Sequence, residues 1–149
     1  MPDLIEAITD DHEALATLLD RVEGLGRSGP SPEHREALDE HLAETRRHST
    51  AERSVALPAM VPRRGGGPER AAAGDDFHDA VEDVVSRLET SSSDDPGHFA
   101  TVTELLELLR EHLGTADDEL VPALREALAD DERETLGETY AEVRENALA

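Results

Sequence analysis

Apolar side chains recur every three or four residues along most of the chain, which is the spacing of one buried face of an α-helix. In the first segment this spacing is regular only if His12 is counted as part of the apolar stripe. Asp3 is a suitable N-cap for this helix, and Gly24 lies where the pattern ends. The sequence therefore predicts a helix from Asp3 to about Gly24 with His12 facing the core. Its apolar positions are Ile5, Ile8, Leu15, Leu19 and Val22.

The second predicted helix carries three histidines along one face, at intervals of seven residues. Ser31 caps this helix, Pro32 occupies its first turn, and the pattern continues to about Met60. The glycines and proline that follow, together with the Ala-rich stretch 70–74, predict the least structured part of the chain. The positions of this seam are His34, Leu38, His41, Thr45, His48, Glu52, Val55 and Ala59.

Two more long helices follow in the pattern. Asp75 or Asp76 caps the third, which ends near Leu88, and the fourth begins near Pro96. Pro122 should kink or break the fourth helix, because proline removes a backbone hydrogen bond and clashes with the preceding turn. The inward stripes are His78, Val81 (or Glu82), Val85 and Leu88 in the third helix, and Val102, Leu105, Leu109 and His112 in the fourth.

A last amphipathic segment at about residues 132–147 predicts a short helix, which Gly137 weakens. No segment alternates between apolar and polar residues with a period of two, so we expect no sheet. The sequence thus predicts an all-α protein with one domain over residues 1–149. Its architecture is an antiparallel up-down four-helix bundle at about residues 3–128, with the short extra C-terminal helix packed on it.

Composition narrows the possible functions. The chain has 36 acidic residues against 14 basic ones and a formal net charge of −22, which argues against a nucleic-acid partner because phosphate binding needs a positive face. It has no cysteine, so disulfides, thiolate metal sites and cysteine nucleophiles are excluded. No apolar run is long enough to span a membrane, and the N-terminus does not resemble a signal peptide. We therefore expect a cytoplasmic location.

Four histidines, each from a different predicted helix, fall in the apolar stripes: His12, His48, His78 and His112. A single histidine in such a stripe is more often a hydrogen-bonded core residue than a metal ligand. Four together are different, because each neutral imidazole has a donor and an acceptor to satisfy and leaving them unpaired in one core is costly. Metal coordination would satisfy all four.

Two carboxylates follow two of these histidines. Glu52 lies four residues after His48 and so shares its helix face. Asp117 lies five residues after His112, about 140° around an ideal helix, and would reach a metal from the edge of the face or through a π-type bulge. The alternative for both carboxylates is a solvated helix surface, which suits Asp117 better than Glu52.

The other histidines are weaker candidates for ligands. His34 and His98 lie near predicted helix starts and are expected to be exposed. His41 lies two turns before His48 on the same face and is expected to be a core residue or to support a ligand from behind.

The ordered set His12, His48-x3-Glu52, His78 and His112-x4-Asp117 resembles the hemerythrin and hemerythrin-like HHE cation-binding family over roughly residues 3–124. The resemblance implies an antiparallel four-helix bundle around two non-haem iron ions joined by an oxo or hydroxo bridge. It further implies that two carboxylates bridge the irons, that two histidines serve each iron, and that an apolar residue lines the open O2 position. By position, the resemblance makes Glu52 and Asp117 the bridging carboxylates. It assigns His12 and His48 to one iron and His78 and His112 to the other. Leu109 would be the apolar residue at the O2 position.

The third helix departs from the pattern of the oxygen carriers. Those proteins have His-x3-His there, whereas this chain has Glu82 four residues after His78. Glu82 is either an anionic ligand or a solvent-facing acid that leaves a position for water. As a ligand it would stabilise ferric over ferrous iron, which disfavours reversible O2 carriage and favours oxidation chemistry.

Three hypotheses follow for the function. The first is a di-iron protein that binds O2 or a related small ligand such as NO or peroxide, in oxygen, redox or iron sensing or in storage. The second is a di-iron oxidase or peroxide-consuming enzyme. The third is a helical interaction module that is metal-free or holds zinc in place of iron.

Overall fold

The computed structural model describes residues 2–62 and 67–147, and every regular element in these two ranges is a helix. The prediction of an all-α protein is confirmed. Within this part of the chain, no helix is long and apolar enough to cross a membrane. The helices are α1 (Leu4–Gly26), α2 (Pro32–Ala51, continued by a π turn Glu52–Ala56 and by Leu57–Met60), α3 (Gly67–Glu89), α4 (His98–Thr115, continued by a π turn Ala116–Leu120 and by Val121–Ala127) and α5 (Asp130–Asn146).

The predicted starts of the first two helices are confirmed by their caps. The Asp3 carboxylate accepts a hydrogen bond from the Glu6 backbone N–H, and the Glu6 carboxylate accepts one from the Asp3 N–H. The Ser31 hydroxyl accepts from the backbone N–H of His34, with Pro32 at the first helical position. These caps satisfy N–H groups that have no partner within the helix.

The prediction of an unstructured stretch at 70–74 is wrong. Helix α3 already includes Gly67, so neither Asp75 nor Asp76 caps it; Gly65 and Gly66 lie outside the described residues. Alanine has the highest helix propensity, and Ala71 is buried in the core. The Ala-rich stretch 70–74 is therefore helical, although the glycines before it suggested a loop.

Pro122 does not end helix α4, which continues to Ala127. The helix instead widens into a π turn, in which the Val121 backbone N–H bonds the carbonyl of Ala116. Helix α2 does the same before Pro58, where the Leu57 N–H bonds the Glu52 carbonyl. Each π turn resets the hydrogen-bond register one residue before a proline, so the missing proline N–H falls in the first turn of the next α-helical section.

The core consists of two apolar clusters, one toward each end of the long helices. One cluster contains the start of α1, the end of α2, the end of α4 and part of α5, with Tyr140 fully buried in it. The other contains the end of α1, the start of α2, the second half of α3 and the start of α4. Along all four long helices, the four stripe histidines lie between the two clusters.

His34 and His98 are buried, with 0% and 4% of their surface exposed, so the expectation that they are exposed is wrong. Their rings lie 6.0 Å apart and both contact Phe99. His34 also packs against Gly26 at the end of α1. The end of one helix covers the starts of two others, which the sequence pattern of a single helix does not reveal. His41 is fully buried beside Thr45, as a core residue.

Gly137 allows α5 to lie directly on the start of α1. A Cβ atom there would be 2.5 Å from the Pro2 carbonyl oxygen and 2.8 Å from the Leu4 nitrogen. Because these are backbone atoms, we expect Gly137→Ala to destabilise the protein by about 1–3 kcal/mol in chemical denaturation. The matched control is Gly24→Ala in α1, where nothing lies within 4 Å and where we expect a gain of about 0.5–1 kcal/mol. Equal effects of the two substitutions would contradict this account.

His41 should make the metal-free protein sensitive to acid. Burial lowers the pKa of His41 from its usual 6.5 to about 4, despite the opposing effects of its own backbone and of Glu44. The unfolded chain then binds this proton more readily, so stability falls as the pH drops from about 6.5 to 4, by about 3 kcal/mol. We expect His41→Leu to remove about this much of the pH dependence, measured by denaturation at pH 7 and pH 4. An unchanged difference between the two pH values would show that His41 is not the source.

Candidate metal centre

Five side chains meet at one level of the helices, between the two apolar clusters. Each of the four long helices contributes one histidine, and α2 contributes a carboxylate as well. All five are buried, and Glu52 has no exposed surface. The group consists of His12 from α1, His48 and Glu52 from α2, His78 from α3 and His112 from α4.

The Glu52 carboxylate lies at the centre of this group and presents one oxygen to each of two histidine pairs. Its Oε2 atom is 2.8 Å from the Nε2 of His48 and 3.5 Å from the Nε2 of His12. Its Oε1 atom is 3.1 Å from the Nε2 of His78 and 3.4 Å from the Nε2 of His112. Every histidine therefore turns the same ring nitrogen toward the carboxylate.

Burial and the carboxylate act in opposite directions on the proton affinities of this group. Burial lowers the pKa of His12 and of His112, and the Glu52 carboxylate only partly offsets it. For His48, burial is outweighed by the carboxylates of Glu52 and Asp11, which raise its pKa to about 9. Burial would raise the pKa of Glu52, but the surrounding imidazoles hold it well below its usual range. Glu52 is thus an anion in an apolar core.

The donor set fits a metal ion. Neither ring nitrogen of His12 makes a hydrogen bond of good geometry among the described residues, and Glu52 Oε2 makes none either, although it lies 2.8 Å from His48 Nε2. Ligand atoms of His12, His48, Glu52 and His112 all lie within 4.8 Å of one another. Buried imidazole nitrogens and carboxylate oxygens with incomplete hydrogen bonding are costly, and a divalent cation of the borderline class satisfies them together.

A second set of contacts supports His48 from behind, and the sequence did not reveal it. The Nδ1 atom of His48 lies 3.2 Å from Asp11 Oδ2 and 3.0 Å from the Tyr140 hydroxyl. Tyr140 donates a hydrogen bond to Asp11 Oδ2, and Arg144 donates one to Asp11 Oδ1 at 2.7 Å. Because α5 supplies Tyr140 and Arg144, this network depends on long-range packing. The available signals were the adjacency of Asp11 to His12 and the presence of a single tyrosine in the chain.

His78 is supported differently. Its Nδ1 atom lies 2.9 Å from the Ser49 hydroxyl, which is neutral. His112 is covered by Phe77, whose ring stacks on the imidazole with centroids 4.3 Å apart and planes 7° from parallel. The two halves of the group therefore have different surroundings.

A cavity of about 620 Å³ reaches the group from the α3 and α4 side. Glu52, Phe77 and His112 form part of its lining, with apolar side chains such as Leu57 and Leu108. Leu109 does not line this cavity; it is buried in the apolar cluster one turn from His112.

The structure does not bring Glu82 or Asp117 into the group. The Glu82 side chain is 60% exposed and lies 3.6 Å from Arg53, although it shares a small surface pocket with His78. Asp117 is exposed on the π turn that follows His112. A π turn does occur at that point of the helix, as the spacing of these two residues suggested, but the carboxylate faces solvent.

Comparison with known proteins agrees with this geometry. A solved structure of a hemerythrin HHE cation binding domain-containing protein from Mycobacterium kansasii matches with a TM-score of 0.81 and 24% sequence identity, covering 99% of this chain and 88% of that one. At this identity the likeness establishes the fold. A search of curated proteins finds no match. The family model described as the hemerythrin HHE cation binding domain matches residues 3–124, which include the five buried residues of the group. The chain therefore belongs to the hemerythrin HHE cation-binding domain family.

Proposed function

We propose that this protein holds two iron ions at the buried histidine group and binds O2 or a related small ligand, NO or peroxide, at one of them. The observation that carries the proposal is the position of Glu52. Each of its two oxygens faces a separate pair of imidazole nitrogens. A carboxylate so placed is suited to bridge two ions.

The two pairs define the two metal positions of the proposal. His12 and His48 hold one ion, and His78 and His112 hold the other. Imidazole and carboxylate donors without thiolates suit iron and zinc alike. Paired metal sites built from helix side chains in a bundle core are a general arrangement for di-iron proteins. We further propose that the long helices form a single-domain, antiparallel up-down bundle; the direct contacts of α1 with α2 and of α3 with α4 support this arrangement.

The cavity beside His112 supports small-ligand binding. It leads to Glu52 and His112, and its lining combines apolar side chains with acidic ones such as Glu111. Its volume far exceeds the roughly 30 Å³ that one water molecule occupies in the liquid, so a diatomic ligand or peroxide fits. The ligand would therefore reach the ion held by His78 and His112. Leu109 would pack behind this metal position from the apolar core, one helical turn before His112.

The protein's own contribution to the chemistry is to hold His12 and His112 as neutral donors and to cover part of His112. The lowered pKa values of His12 and His112 keep both imidazoles unprotonated at neutral pH, as metal ligands must be. Phe77 shields one face of His112. Glu52 supplies the negative charge that offsets part of the charge of the cations. The bound iron pair would supply electrons to the small ligand.

The metal content of three carboxylate variants tests the proposal. Glu52→Gln keeps the size of the side chain but removes the central anion, so we expect it to lose iron while its helix content by circular dichroism stays near that of the parent. Glu82→Gln and Asp117→Asn make the same change at exposed carboxylates that were predicted as ligands. Each should lose iron if its carboxylate turns inward to coordinate, and should keep two irons per chain if it stays in solvent.

Retention of two irons per chain by Glu52→Gln would overturn the assignment of the centre. The visible spectrum of the parent separates the remaining hypotheses. Charge-transfer bands of an oxo-bridged ferric pair are expected, whereas a colourless, zinc-containing protein would favour the interaction module. Catalytic turnover of added peroxide by the iron-loaded protein would favour the enzyme.

A further inference from the structure

The Nδ1 atoms of His48 on α2 and His78 on α3 point away from Glu52, and their partners differ in charge. The Nδ1 atom of His48 lies 3.2 Å from the Asp11 carboxylate and 3.0 Å from the Tyr140 hydroxyl, which itself donates to that carboxylate, whereas the Nδ1 atom of His78 faces only the hydroxyl of Ser49 among the described residues. His48 and His78 contact different oxygens of the Glu52 carboxylate, Oε2 and Oε1. The asymmetry therefore coincides with the division of the group into two metal positions.

Asp11 is held firmly in its place behind His48. Only 6% of its surface is exposed, and both of its oxygens accept hydrogen bonds, from Tyr140 and from Arg144. Arg144 is itself anchored by Glu44. Tyr140 has no exposed surface, so its ring fixes the hydroxyl through packing. A carboxylate held in this way cannot turn away from the imidazole.

Such a partner changes what His48 offers at its inner nitrogen. An Nδ1–H donated to a carboxylate fixes the tautomer in which Nε2 carries the lone pair, and it makes that nitrogen a stronger donor. A hydroxyl partner is neutral and can itself donate or accept, so Ser49 fixes the tautomer of His78 less firmly. The removal of such outer partners typically costs 10- to 100-fold in metal affinity.

We propose that the two metal positions are unequal: the position of His12 and His48 fills first and binds its ion more tightly, and Asp11, Tyr140 and Arg144 are the positioning residues responsible. This inference rests on the proposed two-metal function. It also gives α5 a role at the site, because Tyr140 and Arg144 belong to that helix. Both residues lie beyond residues 3–124, the part of the chain that the family model matches.

The proposal is tested by titrating the metal-free protein anaerobically with Fe²⁺ in an isothermal titration calorimeter. The parent should bind two ions in two resolved steps. In Asp11→Asn the tighter step should weaken by about 10- to 100-fold, while the weaker step changes by less than about threefold. In Tyr140→Phe the same step should weaken by a smaller factor, since the ring packing is kept and only the hydroxyl is lost.

Asp10→Asn is the matched control. Asp10 is the neighbouring acid, with the same charge, but it is exposed, so both steps should stay within about twofold of the parent. Ser49→Ala should weaken only the second step. A purely structural role of Asp11 would weaken both steps together, so the selective loss of one step is the decisive readout.

Two results would overturn the inference while leaving the proposed function intact: two ions bound with equal affinity by the parent, or an Asp11→Asn variant in which both steps weaken alike or neither changes. A parent that binds no metal would instead overturn the proposed function, and this inference with it. Should Asp11→Asn fail to fold by circular dichroism, Tyr140→Phe decides by the same criterion.

Discussion

The central constraint on this structure is a buried carboxylate. It lies at the level where each of four helices directs a histidine inward. An isolated carboxylate in an apolar core is strongly unfavourable. In the metal-free protein, Glu52 is compensated chiefly by His48, whose pKa is raised to about 9, while burial keeps His12 and His112 from protonating as readily. The positive charge of His48 thus offsets the negative charge of Glu52, and the ring nitrogens of His12 remain without well-formed hydrogen bonds. Two cations would satisfy the same atoms far better.

The remainder of the fold brings these polar groups to one level and buries them. An apolar cluster lies on each side of the group along the helix axes, and each cluster draws residues from several helices. The π turns in α2 and α4 occur just beyond the histidines and just before Pro58 and Pro122. They change which side chains face inward after the site, so that one helix can serve the metal group first and then the second cluster. In α2 the π turn begins at Glu52 itself, which links the local backbone to the placement of the central carboxylate.

The last helix is part of this arrangement, although it lies outside the part matched by the family model. Gly137 lets it approach the start of α1 at backbone contact distance. That approach places Tyr140 in the apolar cluster, with its hydroxyl against Asp11 and His48. The helix therefore both closes the core and supports a candidate ligand. A change in its packing would alter the hydrogen bonds behind His48.

The sequence by itself determined that the chain is helical and which four histidines form the metal group, because both depend on local periodicity. A stripe that is regular only when His12 is counted, and a Glu52 one turn after His48, already place these groups on buried faces. The ordered set of motifs also identified the family. What only the tertiary structure decided depends on other helices: the burial of His34 and His98 by neighbouring helix ends, the helical state of 70–74 against the core, the solvent exposure of Glu82 and Asp117, and the support of His48 by α5. Periodicity reports which face of a helix turns inward. It does not report which distant residue meets that face, since this depends on how the helices pack.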